Sequence, residues 1–165
     1  MISRYLVGVC LGSLLVLFAG AYGCGGNLKT HEGDVYIERA EQIEEYRAFG
    51  RINGRVTITQ LKDEAFSWPE LVEVGGELWI WENDNLKGFN LAGLEKVDSN
   101  VLVRNNSQLT GINFDSLNFV GGSFSFAYNP KLPTCQVNRV ISAVGSGNIT
   151  GETSVVGNND NGGCE

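Results

Sequence analysis

The chain has 165 residues with 12 basic and 19 acidic side chains, a formal charge of -7. Such an acidic balance excludes a nucleic-acid surface, because binding phosphates takes clustered lysines and arginines. With an N-terminal targeting segment set aside, roughly 130–140 residues remain, enough for one ordinary domain. Their Gly- and Asn-rich composition predicts turns alternating with short strands rather than long helices.

Arg4 places a positive charge ahead of an almost unbroken apolar run from Tyr5 to Ala19, the pattern of an export signal. No second apolar run is long enough to span a bilayer. Two cleavage sites compete. Ala19-Gly20-Ala21 has the form of an ordinary signal-peptidase site, whereas Ala21-Tyr22-Gly23-Cys24 resembles the lipobox of bacterial lipoproteins. It departs from that family's pattern at Ala21, where Leu is usual, and at Tyr22, where a small residue is usual. The cysteine count favours the lipobox. Cys10 leaves with the signal, and lipidating Cys24 leaves an even pair, Cys135 and Cys164, to form a disulfide in an oxidising compartment. The expected layout is a signal peptide over 1–23, a lipidated N-terminus and flexible tether over 24–34, and a folded module over 35–165. The lipoprotein resemblance implies membrane anchorage through Cys24. Gly25 stands where inner-membrane retention would require Asp, so the outer membrane of the bacterial envelope is expected, with secretion as the alternative.

Along the folded part, Glu38 to Phe49 has helical spacing, with Ala40, Ile43 and Tyr46 on one side, and predicts an N-terminal cap helix. The middle of the chain then repeats itself. Segments starting at Val74, Val97 and Val120 align at offsets of 23 residues. Leu78, Val101 and Phe124 fall in register, as do Ile80, Val103 and Phe126, then Asn83, Asn106 and Asn129, then Leu86, Leu109 and Leu132. An earlier copy, Ile52 to Glu73, fits one residue short; it lacks the Asn, so a different turn is expected there. A period of this length with alternating apolar residues followed by Asn is the mark of a solenoid. Each copy supplies a short strand whose i and i+2 side chains point inward, to be sealed by the next copy. The Asn column is expected to turn the chain at each strand's end, its amide bonding to backbone groups that lack a sheet partner. Beyond Pro133, Gln136 to Val144 predicts a short capping helix stopped by Gly145. A Cys135–Cys164 bridge is then expected to staple the final Gly- and Asn-rich stretch over the last coil. The predicted fold class is mainly β, a short parallel β-solenoid of about four coils of about 23 residues.

The runs Ile52-Asn53-Gly54-Arg55-Val56-Thr57-Ile58, Val74-Gly75-Gly76-Glu77-Leu78-Trp79-Ile80 and Asn83-Asp84-Asn85-Leu86 carry a further resemblance. They are similar to the receptor L domain, the leucine-rich-repeat-like solenoid of insulin- and epidermal-growth-factor-receptor ectodomains, also found in bacterial surface proteins. The resemblance covers about Val35 to Leu132. It implies a right-handed solenoid and a role in binding, and it names no ligand.

Catalytic groups are not legible. His31, the only histidine, falls in the expected tether as a solvated residue, so no Ser-His-Asp arrangement is available. No C-x-x-C or H-x-x-x-H spacing supports a metal. Gly75-Gly76 and Gly121-Gly122 read as turns opening strands and do not form a nucleotide loop. Glu44-Glu45 and Asp63-Glu64 read as solvated faces. Asn158 to Gly162 lacks the leading Asp and distal Glu of a calcium loop. The expectation is a module without enzymatic activity or cofactor. If Leu78 and Ile80 point inward, Glu77, Trp79 and Trp81 point outward. Stacking then sets Leu102 and Arg104 beside them on one side and Thr57 on the other. Tryptophan and arginine are enriched where binding energy concentrates. These six residues are the candidate ligand contacts, for a protein or glycan partner. The competing use of the tryptophans is cover by the tether, a cap loop or the Phe66–Trp68 segment.

Overall fold

The computed structural model describes residues 28–164; the signal peptide, the cleavage sites, Cys24 and the start of the tether lie outside them. In chain order the elements are β1 (Thr30–Glu32), β2 (Val35–Ile37), a 3-10 helix (Ala40–Glu45), β3 (Arg51–Asn53), β4 (Val56–Thr59), β5 (Ala65–Ser67), β6 (Glu73–Val74), β7 (Leu78–Trp81) and β8 (Gly88–Asn90). These are followed by β9 (Lys96–Val97), β10 (Val101–Arg104), β11 (Gly111–Asn113), β12 (Phe119–Val120), β13 (Phe124–Ala127), α1 (Thr134–Val144), a short 3-10 turn (Ser146–Asn148) and β14 (Thr153–Val156). Together they form a β-solenoid of about four turns with three parallel sheets running along it, ordered β1-β3-β6-β9-β12, β2-β4-β7-β10-β13-β14 and β5-β8-β11.

The repeat register is realised residue for residue. Val101 pairs with Leu78 on one side and Phe124 on the other, and Val103 likewise lies between Ile80 and Phe126. All six side chains are fully buried. Each such Leu, Ile or Phe contributes roughly 1.5–3 kcal/mol by leaving water, and only the adjacent coils supply the cover. Phe66 stacks on Phe89 at 5.4 Å, and Phe89, Phe114 and Phe126 continue edge to face toward the C-terminal end. Phe66 and fully buried Trp68 belong to this core.

The corner after the long sheet explains the Asn column. Gln60, Glu82, Asn105 and Tyr128 all have φ between 51° and 57°, and Gly157 follows suit at 66°. Strict alternation would send the residue after each corner outward; one left-handed residue shifts the phase, so Asn83, Asn106 and Asn129 turn inward and are fully buried. For a non-glycine residue this conformation costs about 1–2 kcal/mol. It is held in place by a ladder of amides. The Asn106 side-chain amide donates to the Ile80 carbonyl (3.0 Å) and to Asn129 Oδ1 (3.0 Å), while its own Oδ1 accepts from the Asn83 backbone (3.2 Å) and side chain (2.9 Å). Asn83 and Asn129 repeat the pattern, and Asn158 extends it by one coil. In the copy without Asn the corner is the same, with Gln60 left-handed and Leu61 in the Asn position. The expected different turn is not found there, because the Leu61 N–H still donates to Asn83 Oδ1 at 2.9 Å.

Coil-to-coil approach is close on the side where the strands open. A Cβ at Gly76 would lie 2.7 Å from the Gly54 carbonyl, and one at Gly121 would lie 2.4 Å from the Asp98 oxygen. These glycines admit backbone where a side chain would push neighbouring coils apart.

Two expectations about the N-terminal end are corrected. The tether does not reach Asp34: Thr30–Glu32 pairs with β3, and His31 is a strand residue packed edge-on against Tyr46 (5.1 Å) and Phe49 (5.4 Å). The N-terminal cap is a single 3-10 helix and not an α-helix over Glu38–Phe49. Gln42 Oε1 accepts from the Glu38 and Arg39 N–H groups (2.9 Å each) at its start. Beyond Glu45 the chain continues in turns, the Tyr46 N–H donating to the Ile43 carbonyl and the Phe49 N–H to the Tyr46 carbonyl, before β3 begins at Arg51. Only Ile43 in it is fully buried. At the other end the helix starts at Thr134, buries Val137 and Val144, and ends at Gly145, which has a φ of 83°. The residues after it form another strand: β14 pairs with β13, Thr153 opposite Phe124. The bridge joins Cys135 to Cys164 with Cα atoms 6.0 Å apart, closing helix and final strand into one cap.

Replacing Asn106 with Ala leaves buried partners on two coils unsatisfied, and unfolding in urea should lose about 2–3 kcal/mol; a loss under about 1 kcal/mol would show that the ladder is incidental. Replacing both Cys135 and Cys164 with Ala opens a long loop and should cost roughly 3–4 kcal/mol in the same measurement.

Candidate functional site

The outer surface of the six-stranded sheet is built from the residues between the inward ones. In register across it run Tyr36, Thr57, Trp79, Leu102, Ser125 and Ser154, and beside that row Thr59, Trp81, Arg104, Ala127 and Val156. The structure thus brings Trp79, Trp81, Leu102 and Arg104 together, as the repeat implied. With Asn105 they line a depression of about 200 Å³. β7 and β10, which carry them, are interior strands with neighbours on both sides.

The two indoles meet at 84° with centroids 6.1 Å apart. Trp79 is also covered by the Arg55 guanidinium, 4.5 Å from its ring centroid, a cation–π contact that fixes the ring. Both tryptophans are half-buried, yet among the described residues neither indole N–H reaches the surface or finds an acceptor. The part of each ring left to solvent is therefore carbon. Among the described residues Trp68, in the core, also lacks an acceptor for its N–H, and the Thr59 hydroxyl has no hydrogen-bond partner.

The remaining two candidates play other parts. Glu77 is held by Arg55 (2.7 Å) and by the Asn100 amide (2.9 Å), so its charge is spent within the protein. Thr57 points to the same face but is only 9% exposed. It lies between Tyr36 and Trp79 in the row, and these larger neighbours cover it.

Neither the Phe66–Trp68 segment nor the N-terminal cap covers the tryptophans. The first is in the core and the second packs against β2 and β5. Further apolar surface adjoins the face. Tyr36 (53% exposed), Tyr128 (55%) and Val156 (48%) lie on its edge strands or its corner and account for nearly all the large hydrophobic groups exposed among the described residues. Sequence reasoning missed them. The Val35-Tyr36-Ile37 alternation was available as a signal for β2. β14 was hidden because the α1 insertion stretches the offset from Phe124 to Thr153 to 29 residues. Among the described residues no group of three His, Cys, Asp or Glu side chains is placed to hold a metal ion. No family model, no curated protein and no solved structure matches this chain.

Proposed function

We propose that the chain is a lipid-anchored binding module of the bacterial envelope, without catalytic activity, that recognises a protein or glycan through the outer face of its six-stranded sheet. The observation that supports this reading most is the Trp79–Trp81–Leu102–Arg104 depression. Apolar carbon and a cationic group sit side by side on a surface that neither the Phe66–Trp68 segment nor the N-terminal cap covers. A face serving only as a solvated wall would carry the Thr, Ser and charged residues seen elsewhere on the solenoid. The receptor-L-domain resemblance implies the same kind of role, a solenoid that displays side chains for binding. Lipidation at Cys24 would hold the module at the membrane, where each buried methylene of an acyl chain contributes about 0.8 kcal/mol.

The combined substitution Trp79→Ala and Trp81→Ala tests the reading. Cross-linking and pull-down from envelope extracts should lose the partners captured by the unaltered chain, with circular dichroism unchanged. Retention of every partner would favour a structural spacer with no discrete ligand. For the anchor, Cys24→Ser should abolish labelling by radioactive palmitate and release the protein from the membrane fraction. Membrane retention without label would refute the lipobox reading.

A further inference from the structure

Arg104 stands apart from the other arginines of the described chain. Arg39 pairs with Glu41, Arg47 with Glu44 and Glu70, Arg51 with Glu73 and Asp98, and Arg55 with Glu77. Arg139 donates to the Cys164 carbonyl. Arg104 makes no ion pair and no side-chain hydrogen bond among the described residues, although the chain carries an excess of seven negative charges. It is exposed and sits opposite Trp81 in the sheet register, on the wall of the depression. In an acidic protein whose other described arginines are satisfied, a guanidinium unpaired among the described residues and beside two indoles is an anion-binding fork.

The surroundings restrict what carries the anion. Both strands under the depression already have hydrogen-bonded neighbours on each side, so an extended peptide could not pair with backbone there. Recognition must come from side chains alone. Those side chains offer indole carbon, the Leu102 side chain and the Asn105 amide around a shallow space fit for one small ring. Ring C–H groups suit an electron-rich indole surface, and a carboxylate projecting from the same ring reaches the guanidinium. Resting on the binding-module reading above, we infer that this depression takes a uronic acid, a carboxylate-bearing sugar ring within an acidic polysaccharide. Trp79, Trp81 and Leu102 receive the ring, and Arg104 pairs with its carboxylate.

Titration of the full chain in detergent, followed by tryptophan fluorescence and calorimetry, tests this with oligomers of galacturonate, mannuronate and guluronate. Each oligomer is also used as its methyl ester, which keeps the ring and removes the charge. At least one acid should bind about tenfold more tightly than its ester at low ionic strength, and added salt should narrow the gap. Arg104→Gln should lower the affinity for that acid about tenfold and leave the ester unchanged. Trp81→Ala should weaken both. Equal affinity of acid and ester, or an Arg104→Gln variant that binds the acid as well as the unaltered chain, overturns the carboxylate assignment. Failure of every acid to bind overturns the saccharide assignment. In either case, if the double tryptophan variant still loses its envelope partners, the binding-module reading survives; if it loses none, both readings fall.

Discussion

The solenoid rests on one repeated constraint: successive coils must lie at strand spacing with the same residues facing one another. A parallel sheet alone does not enforce this, because its backbone bonds are equally satisfied after a shift of register. Two features of the side chains remove that freedom. The inward Leu, Ile, Val and Phe columns bury their carbon only when in step, and the buried amides of Asn83, Asn106 and Asn129, with half-buried Asn158 at the end, bond only when they stack. An amide left without its neighbour would be an unsatisfied polar group in the core, which is costly. The ladder therefore penalises misregister in a way that apolar packing does not.

The left-handed corner links that constraint to the outer face. By shifting the alternation after β4, β7, β10 and β13, it brings the Asn or Leu61 inward while the residue two before it stays outward. Thr59, Trp81, Arg104 and Ala127 thus occupy the outward row beside the corner because the next residue but one must join the ladder. Trp81 and Arg104 are positioned by the same stacking that buries Asn83 and Asn106. The proposed binding surface is thus carried on a hydrogen-bonded sheet, which would lose little entropy when a ligand settles on it.

Electrostatics divides the surface. Along the edges where the strands open, the arginines and carboxylates of neighbouring coils are paired, Arg51 with Glu73 and Asp98 and Arg55 with Glu77. Exposed pairs of this kind contribute little stability each, but they neutralise the cations involved. Arg55 does two things at once, pairing Glu77 and lying over Trp79. Arg104 lies one row further along, where its register partners on the neighbouring coils are Trp81 and Ala127 and its side chain makes no ion pair among the described residues.

The amino-acid sequence by itself determined the central architecture. A 23-residue period that repeats apolar and Asn columns is a statement about neighbours in space, and Leu78, Val101 and Phe124 do lie side by side. It also determined the Cys135–Cys164 pairing and the grouping of Trp79, Trp81, Leu102 and Arg104, since residues at one phase of a repeat must share a face. The ends were decided only by tertiary structure. Thr30–Glu32 and Thr153–Val156 have little strand pattern of their own and become strands because an open sheet edge beside them needs hydrogen bonds. Which outward residues remain available was likewise decided in three dimensions. Thr57 disappears between larger neighbours and Glu77 is taken up by Arg55 and Asn100, while Arg104 stays unpaired among the described residues, because burial and charge pairing depend on the adjoining coils and not on a residue's own place in the repeat.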